Sequence, residues 1–396
     1  MKITQPSPPE TMEPEMSDFE VDALIEPALL DAVAALDGRT PLLSGMVRYH
    51  LGYAGRDLRP LDGRSVDRGK RLRPAVALLA AGAAGGEPRA AAPLAAAVEL
   101  LHNFTLIHDD IQDESPTRRH RPTVWSLWGV GQAINAGDAL FAAAHLPLYH
   151  LASSGISAQL GLRLLEAFDR MAIAIVEGQT QDLAFEARPD VAPSEYLEMI
   201  AGKTAAIVRF AAWAGALLGG ADEAAASGWA EFGLALGLGF QIRDDLLGIW
   251  GAQEATGKAP ADDVRRRKQS LPILMLRERL EESEREDLSR LFSAPNVDGA
   301  GVARVLALLE REVVRQEVEA VIAGYHDRAA AALIDAAQPG SNRSRDHLLA
   351  LVERLSSRSG CANQLTQVRG GHVLSCPRLA LAASAITTTG VPGAQD

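Results

Sequence analysis

The stretch from Pro93 to Asp113 is apolar nearly all round a helical wheel and then ends in three carboxylates, Asp109, Asp110 and Asp113. A helix without a polar face has to be surrounded by other helices, so this segment belongs at the centre of a sizeable assembly. The rest of the chain supplies the partners. From Asp18 to about Leu355, Ala, Leu, Glu and Arg fill long windows, and apolar residues recur at three- and four-residue steps, as in VDALIEPALLDAVAAL and SAQLGLRLLEAFDRMAIAIVEG. No alternating β-branched run bounded by turn residues occurs, so no sheet is expected. The spacing predicts an all-α protein, one large helical bundle, with breaks at Gly85-Gly86, Pro116 to Pro122, Gly155, Pro189 to Pro193, Gly219-Gly220, Gly251 to Pro272 and Ala294 to Gly301. No 30–45-residue repeat points to a solenoid.

The ends of the chain differ from this body. Residues 1–17 read as a disordered acidic, proline-rich tail, residues 18–355 as the helical domain, and residues 356–396, rich in Ser, Thr, Gly and Gln, as a poorly ordered extension. The start of the tail has no basic region followed by an apolar one, so no export signal is expected. The longest run without Asp, Glu, Lys or Arg, Ala139 to Leu162, is broken by His145, Pro147, His150 and Gly155, which argues against membrane insertion. Only two cysteines occur, Cys361 and Cys376, too few for a disulfide framework and consistent with a cytoplasmic protein. The net charge of −12 repels nucleic acid and anionic lipid, so an anionic partner needs a local basic pocket or a bridging cation.

Asp109 and Asp113 lie one helical turn apart, with Asp110 beside them. Three like charges there repel one another, and a hard divalent cation relieves the repulsion; Mg²⁺ takes oxygen ligands and commonly bridges one or two carboxylates to phosphates. A solvated helix end is the bland alternative for this cluster alone. GLALGLGFQIRDDLLGIWG, from Gly233 to Gly251, repeats the design, an apolar helix ending in Asp244-Asp245. If both helices are central, the two acidic ends can face each other across one cavity mouth and clamp a diphosphate through Mg²⁺. Cationic segments follow or precede both: Gly69 to Pro74, Arg118-Arg119, Gly202-Lys203-Thr204, Lys258, and Arg265 to Lys268. Arg forks and Lys charges are the side chains that bind phosphate oxygens, although a run such as RRRK is also a common solvated face.

In order along the chain stand GKRLRP, ELLHNFTLIHDDIQDESPTRRHRPT, AINAGDAL, EGQTQDL, GKTA, FQIRDD and TGKAPADDVRRRKQSLP. With these seven signatures the sequence resembles the trans-isoprenyl diphosphate synthase (polyprenyl synthetase) family over about residues 20–355. The resemblance implies a helical bundle around a central apolar tunnel, a homodimer, and head-to-tail condensation of isopentenyl diphosphate with an allylic diphosphate. It implies three Mg²⁺ ions per active site, with Asp109, Asp110, Asp113, Asp244 and Asp245 as the metal side chains. It also implies that Arg118, Lys203, Lys258 and Lys268 contact the allylic diphosphate, and that Lys70, Arg73, His102 and Arg119 bind isopentenyl diphosphate. Thr204 and Gln241 would line the reacting centre, and Asp263 would support the second cluster.

Several positions depart from the family pattern. Gly248 stands where the second cluster commonly carries a third Asp; His120, Arg68 and Ala261 replace usual glycines. In the family, side chains one to two turns upstream of the first aspartates form the tunnel floor, here Phe104 and Thr105. Phe104 lies about 7.5 Å deeper along the helix axis than Asp109. With only Ile111 and Gln112 between Asp110 and Asp113, the pattern looks like short-chain synthases, with geranylgeranyl diphosphate favoured over farnesyl diphosphate. Plain core packing is the alternative role for Phe104. The competing functions are a terpene cyclase, for which the Asn/Asp, Ser and Glu triad near Asp244 is missing, and a non-catalytic synthase subunit, suggested only by Gly248.

Overall fold

Proline at the first turn starts α2 (Pro41–His50), α4 (Ala92–Gln112), α9 (Pro193–Ile200) and α13 (Leu271–Arg279), where its missing N–H is no loss. Aspartate side chains accept from the first turn of α11 (Glu223–Trp250) and α15 (Gly299–Arg311), and Ser157 does so for α8 (Ala158–Phe185). The remaining helices are α1 (Asp18–Ala34), α3 (Leu72–Ala83), α5 (Val124–Trp128), α6 (Val130–Ala143), α7 (Leu146–Leu151), α10 (Ala206–Leu218), α12 (Asp262–Arg265), α14 (Glu282–Ser293), α16 (Val314–Ala336) and α17 (Arg343–Ser357). The computed structural model describes residues 18–61, 68–151, 155–186, 188, 190–251, 261–294, 297–340 and 342–357. The expected tail, Lys258 and all but Ser356 and Ser357 of the expected extension lie outside the described residues; those two serines end α17.

The predicted bundle forms. The long apolar helices sit inside: α4 is flanked by α1, α3, α6 and α7, α10 borders α3, α4, α8 and α11, and α16 covers the far side of α11. Leu94, Leu100 and Leu101 of α4 and Trp229 and Phe232 of α11 are fully buried. Two helical stretches, Pro88–Gln112 and Pro193–Leu218, are long and apolar enough to cross a membrane by length alone, but most of each is buried in the bundle.

The expectation of no sheet needs a small correction. Between α4 and α5, Thr117 pairs with Pro122 and Arg118 with Arg121 in a two-residue antiparallel ribbon. Its turn residues, Arg119 and His120, have φ of 50° and 60°, the left-handed pair that a tight hairpin of this hand requires. The ribbon is too short to leave an alternating signature in the sequence.

Two glycines act by close approach. Between α9 and α10 the helix passes through a π turn, Ala201–Ala205, that carries Lys203 and Thr204. A Cβ on Gly178 of α8 would stand 2.3 Å from the Lys203 amide nitrogen, and one on Gly237 of α11 would stand 2.6 Å from Ala205 Cα. Backbone-to-backbone contact from both sides thus seats the π turn.

Deeper on α11, His326 of α16 packs against Gly239 with only 2% exposure, and neither ring nitrogen has a hydrogen-bond partner. Burial, reinforced by Arg243, pushes its pKa down from 6.5 to about 4. Because the unfolded chain then takes up a proton that the folded chain refuses, stability falls as pH drops from about 6.5 towards about 4. Denaturant unfolding should therefore show His326→Leu losing less stability than the parent over that window, the difference reaching on the order of 3 kcal/mol; parallel profiles would show that His326 is not the group responsible.

Candidate active site

The acidic end of α4 meets that of α11 through one segment of chain. Arg266 Nη2 donates to the Asp113 carbonyl at 3.2 Å and lies 3.7 Å from its carboxylate, while two residues on Lys268 Nζ donates to Asp245 Oδ1 at 2.7 Å. Asp182 of α8 joins them electrostatically, its charge reaching Asp109 on one side and Lys268 and Tyr196 on the other. One segment of chain therefore contacts both acidic helix ends.

Within each pair the two carboxylates do different work. Asp110 is 2% exposed and accepts from Arg118 Nε at 2.8 Å, whereas Asp109 is half-buried and Asp113 exposed. Asp245 is wholly buried and accepts from Tyr196 Oη, Gln241 Nε2 at 3.1 Å and Lys268. Its neighbour Asp244 is exposed. The oxygens of Asp245 are thus filled by protein donors and Asp110 is engaged by a guanidinium, while Asp109, Asp113 and Asp244 are the more exposed carboxylates. Successive helical residues point about 100° apart, so one of an Asp-Asp pair turns inward when the other faces the cavity.

Burial raises Asp109 and Asp110 from 3.8 to about 6, with the like charge of Asp113 adding to both. Carboxylates held in this state gain most from a cation. Among the described residues no three acidic or imidazole side chains converge as a ready-made metal cage. Mg²⁺ does not ask for one, since it keeps waters and completes its shell with phosphate oxygens. The donor set fits that ion.

Behind this mouth lies a cationic cavity of about 280 Å³ between α3, α4, α11 and α17, bordered by Lys70, Arg73, His102, Arg119, Arg243 and Arg354. Its carboxylate, Glu99, is already engaged: Arg71, with φ of 46°, turns inward to ion-pair with Glu99 and with Asp22 at 2.8 Å, and Asn103 donates to Glu99 at 2.8 Å. Arg73 is lowered by burial and lies 3.1 Å from His102 Nε2. Burial, with Arg73 and Arg119 nearby, drives His102 well below its usual value, so it is neutral; its Nε2 accepts from Arg73, which leaves the proton on Nδ1. The ribbon turn aims Arg118 at Asp110 and Arg119 into this cavity, and His120 keeps the left-handed backbone despite not being glycine.

The π turn borders the mouth. Lys203 ion-pairs with Asp182, and Thr204 Oγ1 donates to Gln241 Oε1 at 2.8 Å. Gln179 of α8 donates to Gln112 of α4 at 2.8 Å. Of the residues singled out in the sequence, Asp109, Asp110, Asp113, Arg118, Lys203, Thr204, Gln241, Asp244, Asp245 and Lys268 gather at the mouth, and Lys70, Arg73, His102 and Arg119 at the cavity; Lys258 is not described. Sequence reasoning missed Asp182, Tyr196, Arg243 and Arg354. Asp182 and Arg243 lie inside quoted motifs, EGQTQDL and FQIRDD, but nothing local marks Tyr196 or Arg354.

Comparison with known proteins agrees with this geometry. A polyprenyl synthetase family model matches residues 43–309. The chain is 44% identical over 250 residues to a (2E,6E)-farnesyl diphosphate synthase of Mycobacterium tuberculosis, covering 63% of this chain and 67% of that one. It is 41% identical over 277 residues to a geranylgeranyl diphosphate synthase of the same organism, covering 70% and 77%. Its fold matches the crystal structure of a polyprenyl synthetase from Streptomyces coelicolor with a TM-score of 0.76 at 37% identity, over 85% of this chain and 98% of that one. With its aspartate-ended helices sharing one mouth above a cationic cavity, the chain belongs to the polyprenyl synthetase family, the trans-isoprenyl diphosphate synthases.

Proposed function

We propose that this trans-prenyltransferase condenses isopentenyl diphosphate head-to-tail with an allylic diphosphate to give a short-chain all-trans prenyl diphosphate, geranylgeranyl diphosphate being the favoured product. The observation that carries the reading is the pairing of two unlike sites: a carboxylate mouth suited to a divalent cation and a cavity lined by several cationic side chains. Each suits one diphosphate. Curated relatives named farnesyl and geranylgeranyl diphosphate synthases support the short-chain class.

In this reading Asp109, Asp113 and Asp244 hold Mg²⁺, which supplies positive charge to the departing diphosphate. Arg118 and Lys268, with Lys203 once released from Asp182, bind the allylic diphosphate as its C–O bond breaks. Lys70, Arg73, His102 and Arg119 orient isopentenyl diphosphate, with Arg243 and Arg354 adding charge at the same cavity. The double bond of isopentenyl diphosphate attacks the allylic carbon to form the new C–C bond, and a proton leaves to the diphosphate group. Thr204 and Gln241, tied to each other, present oxygen dipoles to the cation without offering a mobile nucleophile. The growing chain lies against the apolar sides of α4, α6 and α8, out of water that would quench the cation.

The aromatic row supports Phe104 as a floor residue. Its ring sits 4.8 Å from His108 and 5.2 Å from Phe141, and the row continues through His145 and Phe168. Thr105 Oγ1 is held by the His102 carbonyl at 2.8 Å. The exposed apolar side chains Ile134 and Phe141 of α6 and Ile173 and Val176 of α8 support a homodimer through that face, since an exposed patch of this kind marks an interface.

Incubation with labelled isopentenyl diphosphate and dimethylallyl, geranyl or farnesyl diphosphate should give Mg²⁺-dependent elongated diphosphates; cyclic hydrocarbons or an inert protein would refute the assignment. Asp109→Asn should reduce kcat by about two orders of magnitude or more. Phe104→Ala should lengthen the product seen by chromatography, and an unchanged product would remove Phe104 from the floor. Light scattering should report a dimer that becomes a monomer in Ile173→Asp/Val176→Asp; a monomeric parent would sink the dimer.

A further inference from the structure

Arg118, Arg119 and Arg121 crowd the short ribbon between α4 and α5. Arg118 and Arg121 stand directly opposite each other in its register, an arrangement in which like charges repel. So short a ribbon does not hold itself against that repulsion, and each guanidinium is drawn to a separate anchor. Arg118 reaches the Asp110 carboxylate at the mouth. Arg119 lies on Gly69, where a Cβ would stand 2.5 Å from its Nη2 and 2.9 Å from its Cζ, and it borders the cavity. Arg121 turns to α2 instead.

The anchor of Arg121 is a clasp closed from both sides. Its Nη1 donates to the Tyr49 carbonyl and its Nη2 to the Ala54 carbonyl, each at 3.0 Å, so the guanidinium fork caps the C-terminal end of α2 and the loop after it. Its Cζ stands 4.1 Å from the centre of the Tyr49 ring, a cation on an aromatic face. The Tyr49 hydroxyl returns to the ribbon and donates to the Pro122 carbonyl at 2.8 Å. Tyr49 is buried, and its ring meets Trp128 of α5 edge-on at 5.1 Å. Burial, with Arg118, Arg119 and Arg121 nearby, pushes His50 down to about 3, so the end of α2 adds no further positive charge beside the ribbon.

The three anchors differ in what competes for them. A diphosphate at the mouth competes with Asp110 for Arg118, and one in the cavity draws on Arg119. Arg121 borders no part of the cavity, and its partners are neutral carbonyls and an aromatic face. We propose that Arg121 is a positioning residue whose clasp on α2 keeps the ribbon in place while Arg118 and Arg119 engage diphosphate oxygens, so that one clasp sets the affinity of both substrates. The inference rests on the synthase reading, in which Arg118 meets the allylic diphosphate and Arg119 meets isopentenyl diphosphate. The alternative is that the clasp only docks α2 and leaves both affinities alone.

The test uses the full-length protein. Binding of isopentenyl diphosphate, and of inorganic diphosphate with Mg²⁺, is read from the rise in melting temperature as each is titrated, and steady-state rates are measured with both substrates. Arg121→Met keeps an apolar stem on the Tyr49 ring and removes the fork. It should raise the half-saturating concentration of each ligand about tenfold through lost pre-organisation, while kcat at saturation stays within about threefold of the parent. Arg121→Lys, which keeps the charge without the fork, should fall between the two. Tyr49→Phe removes only the hydroxyl bond to Pro122 and should raise both half-saturating concentrations about threefold; it decides the matter if Arg121→Met does not fold. Arg59→Met takes the same charge from a side chain 85% exposed in the loop after α2 and should change neither. Half-saturating concentrations unmoved by Arg121→Met, raised for one ligand alone, or raised equally by Arg59→Met overturn the proposal, as does a fall in kcat with binding unchanged. A parent that binds both ligands, and loses them tenfold in Arg121→Met, yet elongates nothing would count against the synthase reading and leave the clasp standing.

Discussion

The contact between Lys268 and Asp245 ties the site together. Asp245 sits at the end of an apolar helix with no exposure, where a carboxylate survives only if its oxygens are satisfied. Tyr196 from α9 and Gln241 from α11 provide two partners, and Lys268 brings the third from a loop. Bringing that loop in also brings Arg266 to Asp113 and Asp263 to Gly248. One buried charge thus joins the end of α4, the end of α11 and the segment between α11 and α13.

The same reasoning explains how an acidic protein keeps a cationic cavity. The net charge is −12, yet Lys70, Arg73, Arg119, Arg243 and Arg354 converge on one space. The carboxylate that borders this space, Glu99, is engaged by Arg71 and Asn103. Arg71 can reach it because its backbone adopts the left-handed conformation at the start of α3. Neutral His102 adds polarity without adding a further positive charge to the crowd. The field of the whole protein is negative, and the local field of the cavity is positive, which favours a small anion there over any extended polyanion.

Substitutions that looked like weaknesses acquire physical meaning in the fold. His120 and Ala261 stand where glycine is usual, and both retain the left-handed φ that a glycine would supply, at an energetic cost of roughly 1 kcal/mol each. The tight neighbours of the π turn, Gly178 and Gly237, are by contrast glycines that nothing larger could replace without moving Lys203 or Ala205. The cationic segment Gly202-Lys203-Thr204 is in the structure a wide, under-wound π turn clamped from two sides.

The sequence by itself determined the helical class, the central place of the Pro93–Asp113 segment, most of the breaks, and the gathering of acids at two helix ends, because apolar periodicity and charge placement are local properties of the chain. The order of motifs also marked most of the cationic side chains. Tertiary structure alone decided which member of each Asp pair faces inward, since a helix fixes the angle between neighbours but not its own rotation against other helices. Asp245 turns inward because Tyr196, 49 residues away, waits there, and Asp110 because Arg118 does. Arg354 reaches the cavity from the last described helix, and Asp263 lies against Gly248, through contacts whose partners are distant in sequence. Such pairings leave no periodic trace, because they arise only when packing brings the separate segments to one point.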